Sequence, residues 1–135
     1  MAQHPTEHLF VYGTLMKAAG HPMAAHLARH GRYIGPATFN GRLYRLASYP
    51  GVVASDDGAD VVHGELYELE DAAALFAFLD VYEGCSQDDP QPHEYARVQC
   101  SVSAGAKHAK AWIYLYNRPV EKLTRIASGR FLAAE

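Results

Sequence analysis

His8-Leu9-Phe10-Val11-Tyr12-Gly13-Thr14-Leu15 is the stretch on which the fold turns. Leu9 to Tyr12 are consecutive apolar or aromatic residues, the pattern of a buried strand, and they stop at Gly13. Thr14 is placed to cap a helix over roughly Leu15 to His30, on which Leu15, Ala19, Met23, His26 and Leu27 share a face. Gly20-His21-Pro22 breaks that helix into two pieces. Gly13 opens backbone angles closed to other residues, so the following amides can turn toward one point. The Thr14 hydroxyl and the positive end of the helix dipole stand beside them, and such a junction holds an anion. Taken alone, the pattern is more often a plain strand-to-helix connection. It is neither a Walker loop nor a dinucleotide fingerprint, because Gly13-Thr14-Leu15-Met16-Lys17 is too short and lacks their endings.

A second junction lies downstream. Asp71 caps a helix whose Leu75, Phe76, Leu79 and Tyr82 form one apolar stripe, and Gly84 closes it. Glu83 therefore falls in the last helical turn, where the negative end of the dipole opposes ionisation. A pocket walled by Tyr82 adds desolvation, and both effects move a carboxylate toward proton exchange near neutrality. The commoner use of that position is a solvated helix-end glutamate.

The rest of the chain is mostly strand. Tyr33 to Leu46 is strand-like but interrupted by Gly35-Pro36 and by Asn40-Gly41, a strong hairpin signal. Tyr49-Pro50-Gly51 is a turn, Val52 to Ala54 a short strand, Ser55 to Gly58 a loop, and Val61 to Leu69 an alternating strand. Glu65 on that strand points to solvent or to a lysine or arginine across the ladder. Tyr95 to Val102 and Lys110 to Tyr116 pair around Ala104-Gly105, and Tyr95 and Arg97 share a face directed at the Glu83 region. Arg118 to Glu135 is an amphipathic tail and a candidate helix. The fold class is α+β, a compact, barrel-like mixed sheet of six or seven strands with two main helices.

Composition narrows the function. A chain of 135 residues fits a single domain, 1–135, and 49% hydrophobic with 20% charged residues is globular usage. A net charge of −3 gives no reason to expect nucleic acid or an anionic membrane as partner. Arg118, Lys122, Arg125 and Arg130 read as a solvated face. No apolar run approaches the roughly 20 residues that span a bilayer, and no secretory signal is visible. Cys85 and Cys100 fit a reduced compartment, so the expected location is the cytoplasm. No oligomeric state is read from the pattern.

Other chemistries are poorly supported. His26 and His30 have i, i+4 spacing, yet Leu27-Ala28-Arg29 between them lacks the glutamate of a zinc site, so no metal is expected. Cys85 sits past a helix C-terminus, the wrong end for an activated thiol. Ser48, Ser55 and Ser86 lack the Gly-x-Ser-x-Gly setting.

Phe10 to Leu15, Tyr49-Pro50-Gly51, Val62 to Tyr67, Leu79-Asp80-Val81-Tyr82-Glu83, Tyr95-Ala96-Arg97-Val98 and Trp112 to Tyr116 together resemble the gamma-glutamylcyclotransferase-like family, in its gamma-glutamylamine branch. The resemblance runs in the family's order from Leu9 to Tyr116. It implies a mixed barrel with a cavity, no cofactor, and release of 5-oxoproline from a small-molecule gamma-glutamyl amine or peptide. By position Glu83 matches the catalytic glutamate, Tyr12, Gly13, Thr14 and Leu15 match the loop that holds the glutamyl part, and Tyr95 matches a pocket tyrosine. The proline-bearing loop after Glu83 is longer than the shortest family versions, which bears on substrate choice. Two other readings share these residues. One is a protein that binds a small carboxylate without turnover; the other is a related gamma-glutamyl transferase or hydrolase, whose hydrolysis would yield free glutamate.

Overall fold

The predicted buried strand is β1, Glu7–Val11, and it lies in the middle of the sheet. The computed structural model describes residues 7–13, 22–46, 49–82 and 93–131. After β1 come α1 (Pro22–His30), β2 (Gly31–Arg45), β3 (Pro50–Ala54), β4 (Val61–Leu69), α2 (Ala72–Tyr82), β5 (Tyr95–Ala104), β6 (Lys107–Tyr116) and β7 (Thr124–Arg125). β1 runs antiparallel to β4, from Glu7 opposite Leu69 to Val11 opposite Glu65, and parallel to β6, with Leu9 opposite Trp112. The strand order is β3-β2-β4-β1-β6-β5, and a β2–β5 pairing at Thr38 and Ser103 closes the five strands β2, β4, β1, β6 and β5 into a barrel. β3 and β7 lie outside it on β2. The expected mixed barrel is what forms.

Why Leu9 to Tyr12 read as unbroken apolar sequence is now plain: each face of the strand meets a different core. Phe10 packs in the barrel with Ala37, Phe39, Val62, Leu66, Val102 and Ile113. Leu9 and Val11 pack on the other face, against Leu27 of α1 and Leu75, Phe76 and Leu79 of α2. A strand covered on both sides has no polar row to alternate with. Leu75, Phe76 and Leu79 of the α2 stripe are buried, and Asp71 caps the helix, accepting from the Ala74 amide at 3.2 Å. The Tyr82 side chain and Gly84 lie outside the described residues, as does the first piece of the expected helix before Pro22. Among the described residues no helix is long and apolar enough to cross a membrane.

Three local expectations fail. Of the turn expected at Tyr49-Pro50-Gly51, Pro50 and Gly51 are instead strand, opening β3 opposite Arg45 and Tyr44. Asn40-Gly41 makes no hairpin, because β2 runs straight through it and exchanges partners there. Asn40 is opposite Val61 on β4, and Gly41 is opposite Ala54 on β3. A Cβ at Gly41 would stand 2.7 Å from the Val53 carbonyl oxygen and 2.8 Å from the Phe39 ring. The glycine serves close approach of neighbours rather than a turn. Gly35, at φ 154°, takes the backbone angle that lets β2 bulge against β4 between Tyr33 and Gly35. The tail is not helical over its described part. It bonds to the sheet instead: the Ile126 amide donates to the Leu43 carbonyl at 2.7 Å, and the Gly129 carbonyl accepts from the His63 amide at 2.8 Å.

Candidate active site

Tyr12 and Gly13 continue β1 past its last paired residue. The Tyr12 hydroxyl donates to the Tyr114 carbonyl at 2.5 Å in a buried setting. Gly13 is outside the left-handed region, so it is not there for unusual backbone angles. A Cβ on it would lie 2.7 Å from Pro50 Cγ and 2.9 Å from Cδ. Its lack of a side chain lets the end of β1 press against Pro50. Close packing, and not unusual backbone angles, is what glycine serves at position 13.

Pro50 is held from its other side. Its carbonyl accepts from the Tyr95 hydroxyl at 2.5 Å. The Tyr95 ring stands edge-on to Tyr116 at 5.6 Å and 6.5 Å from Tyr49. The Tyr49 hydroxyl donates to Glu94 at 2.7 Å, and this bond together with burial pushes its pKa up to about 12. Gly13 and Tyr95 therefore meet at Pro50, while the Tyr12 hydroxyl goes to Tyr114. Sequence reasoning missed Glu94, since nothing local marks a residue whose partner lies 45 positions away. Pro50 and Tyr116 were visible only as parts of matched motifs.

The end of α2 reaches the same place from the other direction. Arg97 on β5 grips Asp80 with two bonds, Nε to Oδ1 at 2.9 Å and Nη2 to Oδ2 at 3.1 Å. The Tyr114 hydroxyl adds a third bond to Asp80 at 2.7 Å. The guanidinium lies 4.0 Å from the Phe76 ring centre and 4.8 Å from that of Trp112. Tyr95 and Arg97 were expected to aim together at the Glu83 region. Glu83 lies outside the described residues; among the described ones the Tyr95 hydroxyl bonds Pro50 and the Arg97 guanidinium bonds Asp80. Tyr114 is the meeting point, taking Tyr12 on its carbonyl and Asp80 on its hydroxyl. Thr14 and Leu15 also lie outside the described residues; Glu83 follows Tyr82, the last residue of α2, in sequence.

An open groove of about 750 Å³ adjoins this end of β1, lined among others by Tyr33, Thr38, His63, Glu65, Arg130 and Phe131. Phe131 is 4.0 Å from a Cβ at Gly13, and Glu65 is the cross-strand partner of Val11. Glu65, expected to face solvent or a basic ladder partner, is half-buried between Val11 and Pro36. Burial, with the nearby Arg130 charge, holds the His63 imidazole below its ordinary pKa.

Residues 9–133 match the family described as gamma-glutamyl cyclotransferase, AIG2-like. The chain is 36% identical over 125 residues to the gamma-glutamylcyclotransferase family protein ytfP of Citrobacter rodentium, covering 92% of this chain and 94% of that one. It is 31% identical to the gamma-glutamylaminecyclotransferase of Rattus norvegicus, covering 80% and 84%. The solution structure of ytfP from Escherichia coli superposes with a TM-score of 0.63 at 32% identity, covering 93% of this chain and 96% of that one.

Proposed function

The chain belongs to the AIG2-like gamma-glutamyl cyclotransferase family, and from that premise we propose that it cyclises a gamma-glutamyl amide to 5-oxoproline and a free amine. The substrate carries its own nucleophile, since its α-amine lies at five-membered-ring distance from the γ-carbonyl. The protein needs no serine or cysteine nucleophile for such a reaction. Its tasks are to fold the substrate, take a proton from the α-ammonium and return one to the departing nitrogen.

In this reading Glu83 accepts the ammonium proton. The α-nitrogen then bonds to the γ-carbonyl carbon, and the resulting oxyanion is met by amides of the Gly13-to-Leu15 turn. The bond from that carbon to the leaving nitrogen breaks as Glu83 returns the proton, and the ring nitrogen's remaining extra proton passes to the released amine, which departs as its ammonium, so no water is consumed. Positioning for the cyclic attack supplies about 7 kcal/mol or more, and acid–base help about 10²–10⁴-fold. Tyr12 and Tyr95 fix the walls, through the Tyr114 and Pro50 carbonyls.

The observation that carries the reading is the convergence on Tyr114, which ties the end of β1 to the last turn of α2, one turn before Glu83. It is tested by incubating the protein with gamma-glutamyl amines, gamma-glutamyl amino acids and glutathione, and measuring 5-oxoproline. Product from at least one of them is expected. Free glutamate would indicate a hydrolase, and thermal stabilisation by these compounds without product would indicate a binding protein.

A further inference from the structure

We propose that Asp80, Arg97 and Tyr114 form a latch that fixes the last turn of α2 to the end of β1 and thereby sets the rate of the chemical step without touching substrate. The inference rests on the reading of Glu83 as the acid–base group.

The latch begins with a residue that helix physics disfavours. Asp80 stands in the last turn of α2, which has no basic residue of its own there. A carboxylate at that end opposes the helix dipole and destabilises the helix unless a cation from elsewhere offsets it. The cation is Arg97 from β5, and it is held more closely than a surface ion pair. Side-chain exposures of 25% and 23% for Arg97 and Asp80 leave little solvent between them. Two parallel bonds fix the guanidinium plane, and the Phe76 and Trp112 rings hold it. An exposed pair contributes little and tolerates many geometries; this arrangement permits one.

Tyr114 gives the latch its direction. Its hydroxyl takes up Asp80 at 2.7 Å, and its backbone carbonyl receives Tyr12, the residue before Gly13. One residue of β6 thus registers the helix end against the end of β1. Helix termini are the parts of helices most prone to fray. Where a reacting group follows such a terminus, a displacement of about 1 Å costs about 10²-fold in rate. A locally unfavourable acid that is closely held one turn before the acid–base group fits a positioning role, and local rules are commonly broken at functional sites.

The test is steady-state kinetics of D80N, R97K and Y114F on gamma-glutamyl-methylamide and gamma-glutamyl-benzylamide, followed by 5-oxoproline release well below each variant's melting temperature. We expect kcat to fall about 10–100-fold in D80N and R97K, the scale set by loss of alignment, with KM changed by less than about 3-fold. Charge conservation in R97K should give no rescue, because lysine lacks the fork. The D80N/R97K double variant should be no slower than the worse single one, since the two act as a unit. Y114F deletes one hydroxyl while keeping the ring and the carbonyl that holds Tyr12, so it remains informative if the Asp80 variants unfold, and it should also lower kcat. Wild-type kcat in the folded single variants overturns the latch, as does a loss confined to KM. If E83Q stays active while the latch variants slow, the reading of Glu83 fails instead; if the unaltered protein makes no 5-oxoproline, both fall.

Discussion

At Gly13 a missing side chain does structural work. A Cβ there would stand 2.7 Å from Pro50 Cγ, and Pro50 cannot simply step aside because Tyr95 holds its carbonyl. Gly13→Ala should therefore destabilise by about 1–3 kcal/mol through overpacking, read from urea unfolding. A midpoint unchanged from the parent would show that Pro50 yields freely. Tyr95→Phe should cost about 1–3 kcal/mol by leaving the buried Pro50 carbonyl without its donor. An unchanged unfolding midpoint would remove that hydrogen bond from the account. The sequence singles out Tyr12, Gly13 and Tyr95; Gly13 and Tyr95 meet at Pro50, and Tyr12 bonds Tyr114. The sequence does not mark why glycine is needed at 13, because the neighbour that demands it is 37 residues away. The same is true of Asp80, which reads locally as a polar residue on a helix and takes its meaning from Arg97 and Tyr114.

Elements were legible where their signals are local. The α2 stripe, its Asp71 cap and the alternation of β4 depend on residues within a few positions, and all three form as the pattern indicates. Asp71→Ala should cost about 0.5–2 kcal/mol of stability while Asp71→Ser recovers much of it, both measured by urea unfolding. Equal stability of the two variants would show that the Ala74 amide bond contributes nothing. β2 shows the opposite case. Asn40-Gly41 carries the local chemistry of a turn, yet the strand continues, since ladder bonds to β4 on one side of that point and to β3 on the other outweigh turn propensity. The tail from Arg118 follows the same logic, as two sheet strands offer its backbone better partners than its own next turn.

Across the whole molecule, long-range charge pairs set how stability responds to pH. Asp60 is buried and accepts from Arg42 at 2.7 Å, Ser55 at 2.7 Å and Arg125 at 2.7 Å, joining β2, the loop before β4 and β7. Those three donors, Arg42 first, hold its carboxyl well below the ordinary value of 3.8. A depressed carboxylate stabilises the fold above the unfolded pKa and loses that contribution as pH falls toward the folded one. His63 is likewise held below its ordinary 6.5, chiefly by burial, so its contribution is complete above 6.5 and declines below it. Melting temperature should thus fall first as pH drops below 6.5 and again below 3.8. His63→Gln should flatten the first step. Asp60→Asn should melt lower at neutral pH and flatten the second. A melting profile in D60N that parallels the parent below pH 4 would contradict the assignment. None of this network is visible in the Ser55-to-Asp60 loop alone, because its cations come from β2 before the loop and β7 far after it.

These scales meet at one acid. Glu83→Gln keeps size and hydrogen-bonding capacity but cannot exchange a proton, so at matched folded concentration its rate of 5-oxoproline formation should drop by about 10²-fold or more. Turnover at the parent's rate by the folded variant would contradict the account at its centre.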